Sequence, residues 1–235
     1  MWGFLRFLLF FVVVVGLLVL VALPALASPV LTQMVRDAGL RADDARVTVG
    51  YFDVGLVVGR AERMRIEADG AVLGPARVGG LDLALGGVDL FDRTFQTVHG
   101  NMRDMTLVAG GLDVAIDRVE IAGPARAATV TGFFSPQQSI EIIRQSARRI
   151  GLTLDDVRLV DDGVRLRLGG FETRATIGVD GGALVLRPQV GPPVLLLQPA
   201  PSDPWRLTEA ALSRDGLVVS GVVDAAALAE VARGR

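Results

Sequence analysis

The chain has 235 residues, a formal net charge of −2 and no cysteine. Its 24 basic residues are all arginine, and His99 is its single histidine. These counts exclude disulfides, thiolate nucleophiles, Cys-zinc sites, lysine-based catalysis and multi-histidine metal centres; the balanced charge leaves no electrostatic footprint for nucleic acid.

In chain order, the first feature is apolar. Arg6 is the only charged side chain before Arg36, and Phe7 to Ala27 is 21 residues of nearly pure Phe, Leu, Val and Ala. That length crosses about 30 Å of hydrocarbon. The short positive end predicts a cytoplasmic N-terminus with the bulk of the chain outside. Ala25-Leu26-Ala27 also offers a cleavage site before Ser28, so the segment reads as a membrane anchor or as a signal removed after Ala27. Residues 1–27 are therefore set apart from a single β-rich unit over 28–235.

Ser28-Pro29 opens a predicted short helix with Leu31, Met34, Val35 and Ala38 on one face and Gly39 at its end. Val47 to Phe52 reads as a strand. Arg63 to Asp69 alternates strictly, with Met64, Ile66 and Ala68 on one face and charged residues on the other. Leu81, Leu83 and Leu85 continue the alternation, and Met105–Ala109 and Leu112–Ile121 add two further strands. His99, before Gly100, reads as part of a polar loop.

Ser135 then presents an N-cap, Pro136 fits the first helical position and Gln138 completes a capping box. Ile140, Ile143, Ala147 and Ile150 recur at helical spacing, and Gly151 ends the run. Asp162-Gly163, Asp180-Gly181 and Asp215-Gly216 sit between alternating runs and predict hairpins. Val194-Leu195-Leu196-Leu197 reads as a buried strand or as the wall of a lipid groove. Asp224 caps a last helical stretch to Val231.

The segment Gly39-Leu40-x-x-Asp43-Asp44-x-Arg46-Val47 parallels Gly151-Leu152-x-x-Asp155-Asp156-x-Arg158-Leu159 at a constant offset of 112 residues. Both copies follow a Ser-Pro helix start and lead into a meander. The parallel is either a duplicated helix–meander unit, with halves at about 28–134 and 135–235, or two uses of one local solution. The recurrence makes the Asp pairs turn residues rather than metal ligands.

On these patterns the chain resembles the LmeA-like family of phospholipid-binding envelope proteins. The likeness covers most of residues 28–225. It rests on the apolar N-terminal segment, Arg46-Val47-Thr48-Val49, Met64-Arg65-Ile66-Glu67-Ala68, Leu81-Asp82-Leu83, the capped helix from Ser135 and the closing Asp215-Gly216-Leu217-Val218-Val219. Many members begin the second helix with Thr-Glu where this chain has Ser135-Pro136, and no functional residue carries over. The resemblance implies an exported or membrane-anchored protein that binds phospholipid and supports assembly of envelope glycolipids.

The expectation is thus an α+β fold of curved, mostly antiparallel sheets with a helix packed on each half, behind an N-terminal membrane helix. The expected function is non-catalytic phospholipid binding at the cell membrane, with no cofactor and no metal. The expected lipid-facing residues are Ile140, Ile143, Ala147 and Ile150 on the helix and Val194, Leu195, Leu196 and Leu197 on a strand. Arg63, Arg65, Arg165 or Arg167 would meet a head-group phosphate, or form a solvated face. Two other readings remain open: a scaffold with a solid core that binds an envelope protein, and a carboxylate-dependent glycan hydrolase.

Overall fold

The computed structural model describes residues 42, 44–49, 59–73, 76–109 and 112–232. The anchor at 7–27 and the helix expected from Ser28-Pro29 lie outside these residues. No described helix is long and apolar enough to cross a membrane.

Thirteen strands and two helices are described. β1 (Asp44–Val49), β2 (Arg60–Leu73), β3 (Ala76–Asp89), β4 (Thr97–Ala109), β5 (Leu112–Pro124) and β6 (Ala128–Phe134) follow one another in an antiparallel meander. Helix α1 (Pro136–Arg149) leads to a second meander, β7 (Asp156–Val160), β8 (Gly163–Leu168), β9 (Phe171–Asp180), β10 (Ala183–Pro188) and β11 (Val194–Leu197). The chain then returns to the first sheet through β12 (Trp205–Ser213) and β13 (Gly216–Val223), and ends in α2 (Ala225–Ala232). The result is an eight-stranded sheet in the order β1-β2-β3-β4-β5-β6-β13-β12 and a five-stranded sheet in the order β11-β10-β9-β8-β7.

This corrects the α+β expectation. The protein is mostly β, with two sheets and no helix on each half. Of the two described helices only α1 is laid on sheet: it packs against β5, β6 and β13 and against β7 and β11, the two edges of the smaller sheet. α2 is a short terminal piece, tied down where Ala225 and Ala226 donate to Ala125 O. Strand content was underestimated because the strands outrun their visible alternation, for a reason the register supplies.

The register puts Val47, Ile66, Leu83, Gly100, Ile121, Val130 and Gly221 in one row across seven strands. A second row runs Ala68, Leu81, Met102, Val119, Gly132 and Val219. These rows share a face, so the larger sheet carries one apolar surface from edge to edge. The opposite face is polar, with Arg65, Asp82, Asn101, Glu120, Thr131 and Ser220 exposed or half-buried.

Alternation breaks at one place in four consecutive strands. The inward apolar side chains step by three, not two, from Ala68 to Ala71, Val78 to Leu81, Met102 to Met105 and Ile116 to Val119. Register aligns these steps: Ala71 faces Val78, Val78 faces Met105, and Met105 faces Ile116. Between the rows lie Asp69-Gly70, Gly79-Gly80, Arg103-Asp104 and Asp117-Arg118, which form a crease across the sheet. Gly70 and Asp104 take positive φ there, at 60° and 51°, a conformation Gly adopts freely and Asp tolerates better than most. A period-2 reading loses the strand at such a step.

α1 carries the expected caps. Gln138 N donates to Ser135 Oγ at 3.3 Å, and Ser135 N donates to Gln138 Oε1 at 2.8 Å. At the other end Leu152 N reaches Ala147 O and Gly151 N reaches Arg148 O, the two bonds of a Schellman motif, with Gly151 at φ +78°.

Candidate functional site

The buried face of α1 is turned from the one expected. Ser139, Ile142, Ile143, Ser146 and Ala147 are buried. Ile140 is half-buried and Ile150 is 55% exposed. Two serines displace the isoleucines because their hydroxyls find partners: Ser139 Oγ donates to Ser135 O at 2.8 Å, and Ser146 Oγ to Leu196 O at 3.4 Å. A satisfied hydroxyl removes most of the penalty for burying Ser, a pairing invisible to hydrophobic periodicity.

On β11, Leu196 is fully buried, Val194 and Leu197 are half-buried and Leu195 is 48% exposed. The pairing with β10 shifts by a residue between Leu184 and Val185, so the four residues do not divide evenly between faces. Ile143 and Leu196 belong to one packed core with Leu184, Phe134 and Leu217, and Ala147 is buried beside Ser146 on the same helix. The expected site residues are therefore brought together, but their innermost members fill the core between helix and sheets. Ile150 and Leu195 instead face solvent.

The sequence reading missed a different region. Beyond α1 and the smaller sheet, the apolar face of the larger sheet continues over β4 to β1. A second core cluster there holds Val47, Met64, Ile66, Ala68, Val78 and Leu81. Met102 and Met105, half-buried on either side of the crease, touch both this cluster and the one beneath α1. Leu83 and Leu85, also half-buried, join the second cluster to a third around Val98, Ile121 and Val223. Unbranched, polarizable Met side chains adapt to irregular apolar shapes. A seam of large, half-buried residues therefore runs along β3 and β4 where the core clusters meet. Its available sequence signals were the Leu81-Leu83-Leu85 alternation and two methionines three residues apart.

The polar face is saturated with ion pairs. Arg65 Nε and Nη2 hold both carboxylate oxygens of Asp82 at 2.9 and 2.8 Å, and Arg65 Nε lies 3.1 Å from Glu67. The hydrogen bond from Arg65 keeps the Asp82 carboxyl below its ordinary value. Asp89 is also lowered, first by the backbone N–H of Asp92. Among the described residues no three His, Asp or Glu side chains gather to hold a metal ion. His99 is exposed in β4, opposite Ala84 and Ala122, and is not in a loop. The Asp155 pair is architectural: Asp155 Oδ2 accepts from Gly169 N at 2.7 Å, and Asp156 pairs with Arg158.

Comparison with family models, with curated proteins and with solved structures finds no match to this chain.

Proposed function

We propose that the protein is an extracytoplasmic, membrane-associated phospholipid-binding protein of the LmeA-like kind, without catalytic activity, that serves assembly or maintenance of envelope lipids. Acyl chains would lie along the β3–β4 seam. The observation that carries this reading is the seam along β3 and β4, where Leu83, Leu85, Met102 and Met105 stay half-buried between the core clusters of the larger sheet's apolar face. A seam of large, adaptable apolar side chains suits a ligand whose bulk is hydrocarbon.

The test is lipid content. The full chain, purified in mild detergent, is expected to retain phospholipid detectable by native mass spectrometry. Met102→Gln with Leu83→Gln lowers that content while leaving the circular dichroism of the sheets intact. A protein that carries no lipid and takes none from vesicles overturns the reading and favours a scaffold whose core is complete without a ligand.

A further inference from the structure

Sheet and helix place five of the exposed large apolar side chains at one end of the smaller sheet. Ile150 (55% exposed) and Leu152 (37%) follow the last turn of α1. Leu168 (37%) and Phe171 (55%) flank the Gly169-Gly170 turn between β8 and β9, and Val190 (65%) lies in the β10–β11 connection. Hydrogen bonds bind these pieces into one tip. Asp155 N donates to Arg167 O, Gly169 N donates to Asp155 Oδ2, and Gln189 N donates to Arg174 O at 2.7 Å.

Arginines stand directly behind this tip. Arg158 faces Arg165 across β7 and β8, and Arg165 faces Arg174 across β8 and β9. Like charges opposite one another in a sheet destabilise it, so the row is not there for the fold's own benefit. Asp156 pairs with Arg158 and Glu172 lies 3.1 Å from Arg165. Arg167 and Arg174 make no side-chain ion pair among the described residues. At about 3.3 Å per strand residue, Arg167 sits one residue, about 3 Å, behind Leu168, and Arg174 three residues, about 10 Å, behind Phe171. The Arg174 offset matches the depth of about 5–10 Å to which an interfacial protein buries its apolar side, and Arg167 stands at the rim of the tip.

We infer that this tip docks on the surface of an anionic phospholipid bilayer, with Phe171, Leu168 and Val190 entering the acyl boundary and Arg167 and Arg174 meeting head-group phosphates. The inference goes beyond the lipid held by the protein and does not depend on it: a tip that docks needs no lipid in the seam. Arg174 selects the occupant: Arg167 has Asp156 and Glu172 opposite it in the register, whereas Arg174 has only Arg165, and a neutral protein surface would leave that charge uncompensated.

The chain has no native cysteine, which makes the test direct. Phe171→Cys and, as a control away from the tip, Phe91→Cys (79% exposed in the wild type) are labelled in the full chain with an environment-sensitive fluorophore. Each is placed in nanodiscs of phosphatidylcholine alone or mixed with phosphatidylglycerol. The label at 171 is expected to shift to the blue and to be quenched by acyl-chain nitroxides in the anionic discs, less so at high salt. Arg167→Gln with Arg174→Gln lowers the ratio of docked to undocked protein about thirty-fold, from about 1 kcal/mol per arginine. A water-exposed label at 171 in anionic discs overturns the inference and leaves the tip to a protein partner. A response at 91 as large as at 171 overturns it as general adsorption. Lipid content of the same preparations reports separately on the seam.

Discussion

The two meanders use the same topology for different ends. β1 to β5 and β7 to β11 are each five antiparallel strands in sequential order, and each begins at an edge strand whose first residue, Asp44 or Asp156, occupies the same place in the 112-residue repeat. In the first meander β2 to β5 are 13 or 14 residues long and creased. The second has strands of 4 to 10 residues. Length decides the role. The long strands spread an apolar face that carries several core clusters and the β3–β4 seam between them, whereas the short ones close over α1 and finish a packed core. One plan thus yields a broad platform and a cap.

The sharpest test of this contrast is whether the meanders unfold together. Ile143, 1% exposed between the sheets, is the joint: Ile143→Ala is expected to cost about 2–5 kcal/mol and to lower the denaturant midpoint of the whole protein. Leu81→Ala in the first meander and Leu184→Ala in the second each cost a similar amount. A single transition shifted by both means one cooperative unit; two transitions, each shifted by one variant, separates the halves.

The crease gives the next effect. Gly70→Val forces a β-branched residue into positive φ and is expected to cost more than the 1 kcal/mol of an ordinary Gly site, about 2 kcal/mol. The same change at Gly169, a turn glycine also at positive φ with open space around it, tests whether the crease is costlier than a turn. Removing the helix cap with Ser135→Ala is expected to cost about 1 kcal/mol, read as a lower midpoint with an unchanged slope.

The smallest effect is in acid. Asp82 has a folded pKa below its ordinary 3.8, held there by Arg65. A depressed carboxyl contributes stability above its unfolded value and loses it as pH falls through the folded one. Acid unfolding therefore takes part of its slope below pH 3.8 from this pair. Asp82→Asn is expected to flatten that part and leave stability near neutrality almost unchanged, since both partners are at the surface.

Much of the chain after Ser135 was legible in the sequence. Asp162-Gly163, Asp180-Gly181 and Asp215-Gly216 all mark hairpins, and Ser135 and Gly151 bound α1 as read. The first meander was legible only in pieces. At the crease the core side chains step by three, so β4 was seen from Met105 onward and its first half, with Gly100, Asn101 and Asp104, passed for a loop. The buried face of α1 was misread for a related reason. Hydrophobic periodicity pointed to Ile140 and Ile150, but Ser139 and Ser146 bury because backbone carbonyls receive their hydroxyls. The β3–β4 seam depends on which strands neighbour each other across the sheet, a fact that no local pattern encodes.

The strand order has a consequence for how the chain comes to be built. β6 ends at Phe134, and its partner on that side, β13, starts at Gly216, with Leu217 opposite Phe134 and Val223 opposite Ala128. A chain emerging N-terminus first completes six strands and then leaves β6 with an open edge while α1 and the whole smaller sheet are delivered. Only the last pair, β12 and β13, closes that edge. Pairing across such a separation is slow, because loop closure precedes any stabilising contact. An exposed edge is also a template for mispairing. A chain truncated before residue 205 is therefore expected to aggregate, and the protein's final two strands act as the clasp that ends its vulnerable period.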